Sequence, residues 1–411
     1  TRDPQERMTV PDASTAPSPS SDSPFDAVDL GLLRRRHNTK WYGTPGDVLA
    51  LSVAETDFAP APPVARVLER AFADGDFGYA PPDAIGLPAA FAAFAGRHWG
   101  WHPDPAAFVP VSEVMVGVVE ALRVLTAPGD RVVVETPAYG PYFRVMRETG
   151  RTLVPVPLLH TADGWRRDTE GLRRAFAEGA TAMLLCNPHN PTGHLADRAE
   201  LAAVAALAAE HGAAVLADEI WAPLVLDGAD TEHPGGGPAF VPYATVPGVA
   251  EGPRSVALTS ASKAYNIPGL KCALLLPLTE GATAALRGVP ELLSHRISLP
   301  GVLASQAAFE EGDAWLSGLR AYLRSNRDLL TRLLAEHLPG AGYTAPAATY
   351  LAWLDLRSVV PDGAPVAAHV EERARVRLTD GDEYGAPGWA RLNFGTSAAL
   401  LDESVRRLRA L

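Results

Sequence analysis

From Arg131 to Leu276 short apolar runs alternate with longer helical patterns, which leaves few folds open besides a sheet wound by crossover helices. The runs Arg131 to Glu135, Ala182 to Cys186, Ala213 to Ala217, Ser255 to Thr259 and Cys272 to Leu276 are each too short for a helix and read as buried strands. Between the second and third, Leu201, Val204, Ala205 and Ala208 recur with helical spacing, and Gly212 follows where a left-handed cap is expected. That is one βαβ unit. Gly129-Asp130 predicts a turn into the Arg131 strand. From about Leu299 a long helical pattern leads into strands, including the run Tyr350 to Leu356, and then a final helix, Leu401 to Leu411.

The expected class is α/β, with a mixed, mostly parallel sheet flanked by helices and a smaller α+β unit. At 411 residues two such units are reasonable. The division expected is a disordered Pro- and Ser-rich lead over 1–24, a segment 25–75 belonging mostly to the small unit, a large unit 76–298 and a small C-terminal unit 299–411.

Composition removes several classes of function. A net charge of −12 disfavours nucleic acid, since phosphate-backbone binding needs clustered Lys and Arg. No apolar run reaches the roughly eighteen residues of a membrane span. Two cysteines, Cys186 and Cys272, form no disulfide framework and no metal-ligand spacing, so a reducing cytoplasm and no metal are expected.

Chemistry concentrates at the ends of the predicted strands, where open α/β sheets hold ligands. After the Ser255 strand comes Ser260-Ala261-Ser262-Lys263-Ala264-Tyr265-Asn266, a loop that can place hydroxyls and N–H groups on a phosphate while its lysine reaches an aldehyde. Upstream lie Asn187-Pro188-His189-Asn190-Pro191-Thr192-Gly193 and Asp218-Glu219-Ile220. An Asp at a pyridine nitrogen keeps it protonated and makes the ring an electron sink, a role open to Asp218. Near the C-terminus, Arg391-Leu392-Asn393-Phe394-Gly395 offers a guanidinium fork that matches the carboxylate of an amino acid.

This ordered set resembles the class I/II aminotransferase family over roughly residues 30 to 411, a family of fold-type I enzymes dependent on pyridoxal 5′-phosphate (PLP). Within it the chain most resembles the cystathionine β-lyase-like C–S lyases, on Asn38-Thr39-Lys40-Trp41, Val53-Ala54-Glu55-Thr56-Asp57-Phe58, Thr349 to Asp355 and Leu378-Thr379-Asp380-Gly381. The resemblance implies that Lys263 holds the cofactor as a Schiff base, Asp218 pairs with its ring nitrogen, Asn190 bonds its ring hydroxyl and Tyr139 stacks on the ring. It further implies phosphate contacts from Ser260, Ser262, Lys271 and the amides of Val118 and Val119 after Gly117, helped by Tyr79 from a second subunit, hence a homodimer. Arg391 would bind the substrate α-carboxylate, with Ala54, Asn190 and Tyr139 lining the substrate site.

The chain also departs from that pattern. Trp221 stands where the lyases commonly carry His and many aminotransferases Tyr; its indole donates a hydrogen bond but is neither acid nor base. Lys271 replaces an Arg, and Ser52, Glu55 and Thr56 replace Trp, Asp and Met in a region expected to face substrate. Trp221 reads equally as core or site. His189 reads as a turn histidine, Cys186 as a buried structural thiol, and the Ala-rich helix 196–211 as scaffold.

The favoured reaction is β-elimination from a cysteine S-conjugate or cystathionine-like amino acid, giving thiol, pyruvate and ammonia. Transamination and a decarboxylation-coupled oxidative deamination of an S-conjugated amino acid, of the kind found in natural-product pathways, are the alternatives. A PLP-binding regulator without catalysis ranks last, given the acidic charge.

Overall fold

The computed structural model describes residues 23–227 and 239–411; apart from Ser23 and Pro24, the lead expected to be disordered lies outside them. At its centre is a seven-stranded sheet in the order Val109–Val111, Ala273–Pro277, Ser255–Thr259, Ala214–Asp218, Ala180–Cys186, Arg131–Thr136, Thr152–Pro157. The last five run parallel to one another, while Ala273–Pro277 is antiparallel to both of its neighbours.

Every central strand is apolar on both faces, and side-chain alternation sends its residues into two separate cores. Val133, Met183, Leu185, Val215 and Ala257 pack on one side. Val132, Val134, Leu184, Leu216 and Leu258 pack on the other. This is why the strands read as uninterrupted apolar runs. The helix Arg198–His211 opens on a capping box, Asp197 with Glu200, and ends at Gly212 in the left-handed conformation expected for that residue.

A second, four-stranded antiparallel sheet orders Gly342–Tyr343, Leu351–Asp355, Trp389–Asn393 and Thr379–Asp380. The N-terminal segment joins this part of the chain through Leu49–Ala50, which pairs in parallel with Val376–Arg377.

Two expectations about helices need correction. The pattern beginning at Leu299 is two helices, Leu299–Glu311 and Asp313–His337, broken at Gly312. A Cβ at Gly312 would run into the Ala308 carbonyl and the Tyr265 ring, so the break is a site of close approach. The last helix starts at Ala398 rather than Leu401, because Ser397 accepts the Leu400 N–H as its cap, and it gives way to a 3-10 turn at Leu408. Among the described residues no helix is long and apolar enough to cross a membrane.

Candidate active site

The carboxyl ends of three parallel strands, at Cys186, Asp218 and Thr259, open onto one cavity lined by Asn190, Asp218, Trp221, Tyr139, Ser260, Ser262 and Lys263 among others. Lys263 projects into it from the loop after Ser255–Thr259. Its Nζ donates to the Ala54 carbonyl at 3.1 Å and lies 5.8 Å from the centre of the Trp221 ring. Burial and the Arg391 guanidinium bring its pKa down to about 8, against the opposing pull of Glu55, Asp218 and Glu113.

Asp218 is held by two donors: the Tyr142 hydroxyl to Oδ2 at 2.6 Å and the Ile220 N–H to Oδ1 at 3.1 Å. Burial raises its carboxyl above the ordinary range despite both bonds and the charge of Lys263. Burial and Asp218 push the Tyr142 hydroxyl well up, so Tyr142 is a lasting donor. Sequence reasoning missed Tyr142. It lies three residues after Tyr139, at the start of the helix Gly140–Glu148, with the two rings 5.5 Å apart and edge to face; that i, i+3 spacing was the available signal.

Arg391, on the strand Trp389–Asn393, is 4% exposed. It donates to Asn190 Oδ1 at 3.2 Å and to the Ser52 carbonyl at 3.1 Å, and its Cζ lies 5.1 Å from the Tyr384 ring centre. Its Nε has no acceptor, and no carboxylate among the described residues pairs with it. A buried guanidinium without an anion is costly unless an anion is to arrive.

The opening motifs turn out to be the frame behind this site. Lys40 and Asp57 form a fully buried ion pair at 2.9 Å, and the Trp41 indole donates to Asp57 at 2.7 Å. Asn393 donates to the Val53 and Glu55 carbonyls at 2.6 and 2.7 Å. Together they hold the turn that presents Ala54 to Lys263. Of the three substituted positions expected to face substrate, Ser52 and Thr56 are buried and do not line this cavity, and Glu55 lines a separate cleft with Asn38 and Pro268.

The expected phosphate contacts are corrected in part. Gly117, Val118 and Val119 lie inside the helix Val114–Leu125, where their amides serve the helix. Val118 is fully buried, and a Cβ on Gly117 would lie 2.7 Å from Leu258, so this glycine permits close helix–strand packing. The helix residues that line the cavity are those of its first turn, Val114 and Met115, whose amides have no partner within the helix, after Glu113, which makes no side-chain cap. Lys271 does not line the cavity; its Nζ pairs with Glu113 at 2.9 Å, half exposed. Tyr79 is 86% exposed and lies away from the cavity of its own chain. Ser260 and Ser262 do line it, the Ser260 hydroxyl donating to the Cys272 carbonyl at 2.7 Å and accepting the Ser262 N–H.

The remaining readings divide. His189 is a buried turn residue bonded to Thr192 at 2.9 Å, and burial holds its pKa well down, so it is neutral. Cys186 is buried but also lines the cavity; burial and Asp218 push its thiol up to about 12, which keeps it protonated. Trp221 is both core and cavity wall, 2% exposed and edge-on to Tyr350 at 5.0 Å.

A phosphorylated pyridine aldehyde suits these groups: an amine of lowered pKa and a carboxylate face one cavity, with an uncapped helix N-terminus and two serines beside them. Comparison with known proteins points the same way. The family model for aminotransferases of class I and II matches residues 46–408. A Mycobacterium leprae (strain TN) protein carrying the provisional name cystathionine beta-lyase is 40% identical, over 95% of this chain and 98% of its own. The cystathionine beta-lyase of Corynebacterium glutamicum is 33% identical over 93% and 99%. A solved structure from Corynebacterium diphtheriae, provisionally named a PLP-dependent beta-cystathionase, superposes with a TM-score of 0.85 at 32% identity, covering 93% of this chain and 97% of that one. With its fold, its strand-end cavity and nearly its whole length accounted for, this chain belongs to the class I and II aminotransferase family.

Proposed function

We propose that this chain is a PLP-dependent C–S β-lyase, cleaving a cysteine S-conjugate or cystathionine-like amino acid to thiol, pyruvate and ammonia. The observation that carries the reading is the Lys263 amine sharing a cavity with the buried Asp218 carboxylate, beside the anion-free guanidinium of Arg391. The names of the full-length relatives support the lyase direction.

Lys263 would hold the cofactor aldehyde, Asp218 the ring nitrogen, Asn190 the ring hydroxyl and Tyr139 the ring face. Ser260, Ser262 and the amides of Val114 and Met115 would hold the phosphate. When bound, PLP supplies an electron sink for negative charge at the substrate Cα.

The chain's own groups set the rest. Arg391 fixes the α-carboxylate, because its buried guanidinium sits beside the cavity and pairs with no carboxylate among the described residues. Of the groups around the cavity, Trp221 only donates, Cys186 stays a thiol, burial keeps the Tyr139 hydroxyl protonated, Glu113 is paired with Lys271 and Asp218 is bound by two donors. Lys263 is left as the base for the Cα proton, and a pKa near 8 places it close to neutral working pH. Loss of the Cα proton and departure of the thiolate from Cβ then break the C–S bond, and water converts the three-carbon remainder to pyruvate and ammonia.

Tyr79 completes the phosphate site from a second copy in this reading, making the enzyme a homodimer. Exposure of Phe72, Phe77 and Tyr79 on one stretch supports it. We also read 76–298 as a large unit, with 25–75 and 299–411 as a small one. The pairing of Leu49–Ala50 with Val376–Arg377 supports this. Two buried free thiols favour a reducing compartment, the cytoplasm.

The deciding experiment incubates the enzyme with a cysteine S-conjugate and measures thiol, pyruvate, ammonia and carbon dioxide together. Stoichiometric thiol, pyruvate and ammonia without added keto acid or oxygen is the expected result. Dependence on a keto acid would make it an aminotransferase. Dependence on oxygen, with carbon dioxide released and the C–S bond intact, would make it an oxidative deaminase.

A further inference from the structure

Tyr350 is fully buried and does not line the cavity, yet it touches both groups that bracket Lys263. Its ring packs edge-on against Trp221 at 5.0 Å, and its hydroxyl donates to the Ala54 carbonyl at 2.9 Å. That same oxygen accepts from Lys263 Nζ at 3.1 Å, so its two lone pairs serve one donor each. Burial and the Glu55 carboxylate push the Tyr350 hydroxyl far above the usual tyrosine range, which keeps it a donor.

The shared oxygen is held in place from both sides. The Val53 carbonyl accepts from Asn393 at 2.6 Å, and the Glu55 carbonyl accepts from Asn393 at 2.7 Å and from Lys40 at 3.2 Å. With its neighbours pinned, the Ala54 carbonyl has little freedom to turn away. Tyr350 is fixed in its turn by an unusual backbone. Thr349, also fully buried, has a φ of +73°, a region that β-branched residues avoid. Its N–H donates to the Leu224 carbonyl at 2.8 Å, and its hydroxyl accepts the Leu351 N–H at 3.1 Å. Backbone in such a region persists only where its surroundings over-determine it, and it collects at functional sites.

We propose that Tyr350 is a positioning residue for the base: through the Ala54 carbonyl it aims the free Lys263 amine and disfavours its protonation. A neutral amine has two N–H groups and one lone pair. Giving one N–H to an immobile carbonyl fixes one corner of the nitrogen and confines the lone pair to the corners that face the cavity. The Tyr350 hydroxyl places its positive hydrogen on the same oxygen, which therefore stabilises an ammonium less than an unshared carbonyl would. The inference rests on Lys263 as the base for the Cα proton, a role that C–S cleavage and transamination share.

Tyr350→Phe removes the hydroxyl and keeps the ring on Trp221. In the cofactor-free protein, the pH midpoint for labelling of Lys263 by an amine reagent should rise by roughly half a unit or more in this variant. Arg391, Glu55, Asp218 and Glu113, the charges that act on Lys263, are the same in both proteins. Half-exposed Lys271 and Lys40 in its buried pair are read in the same peptide map and should label as in the unmodified enzyme. With cofactor bound, exchange of the Cα hydrogen of alanine, which has no leaving group, into deuterated water should slow by roughly threefold or more at an unchanged KM for alanine. An unmoved or lowered Lys263 midpoint overturns the positioning role. So does a change in all three lysines alike, the mark of a loosened fold. If the midpoint rises while exchange keeps its full rate, Tyr350 sets the amine but Lys263 is not the base, and it is the reading of the reaction that fails.

Discussion

At Lys263, burial and the Arg391 charge both favour the neutral amine, and neighbouring carboxylates only partly oppose them. In the cofactor-free protein, labelling of Lys263 by an amine reagent should therefore climb roughly tenfold per pH unit below about pH 8 and level off by about pH 9. The sign follows from the reactive species: the free base grows as pH rises through the lowered pKa. Peptide mapping of the label checks it, and a rise continuing past about pH 10 would mean an ordinary, solvated lysine. Arg391→Ala should raise KM for an amino acid substrate by about thirtyfold or more, the equivalent of about 2 to 5 kcal/mol for a buried charge contact, with cofactor absorption unchanged. Near-normal KM would place the α-carboxylate elsewhere. Lys263, Asp218 and Asn190, which line the cavity, and Arg391, bonded to Asn190, were legible as candidates because each stands in a short motif on or directly after a strand. Tyr142 was not, because its importance lies in a hydrogen bond to a residue 76 positions away.

At the scale of elements, the turn carrying Ala54 and Glu55 depends on the segment of Lys40 and Trp41. Lys40→Met would leave Asp57 buried without its cation and should cost about 3 to 5 kcal/mol in urea unfolding. Adding Asp57→Asn should recover part of that loss, and a double variant as unstable as the single one would show that the pair is not coupled. Helix register was the harder matter for sequence. Gly117-Val118-Val119 looked like a phosphate turn, yet Gly117 already donates to the Glu113 carbonyl, so the turn that meets the cavity starts at Val114. Apolar periodicity marks a helix well but its first residue poorly, because Glu113 caps without a side-chain bond. The break at Gly312 was hidden for a related reason. A glycine in a helical pattern is ordinary until the ring of Tyr265, brought in from another loop, fills the space where a Cβ would be.

For the whole molecule, Phe72, Phe77 and Tyr79 are 78, 56 and 86% exposed, an apolar surface that a second copy would cover. Sedimentation velocity should find a two-chain species, and Phe77→Asp should weaken it at least roughly tenfold while loosening the cofactor. A monomer that binds cofactor fully would remove Tyr79 from the site. The wound sheet, the order of its strands along the chain and the amine, carboxylate and guanidinium of the site were determined by the sequence itself. Doubly buried strands must be apolar on both faces, and the chemistry sits in the loops that follow them. What only the tertiary structure decided was which groups find partners. Lys40 meets Asp57, Tyr142 meets Asp218, and Lys271 meets Glu113, while Arg391 finds no carboxylate among the described residues. Pairing is a matter of a few ångströms between residues far apart in the chain, and local patterns of residue type carry no information at that distance.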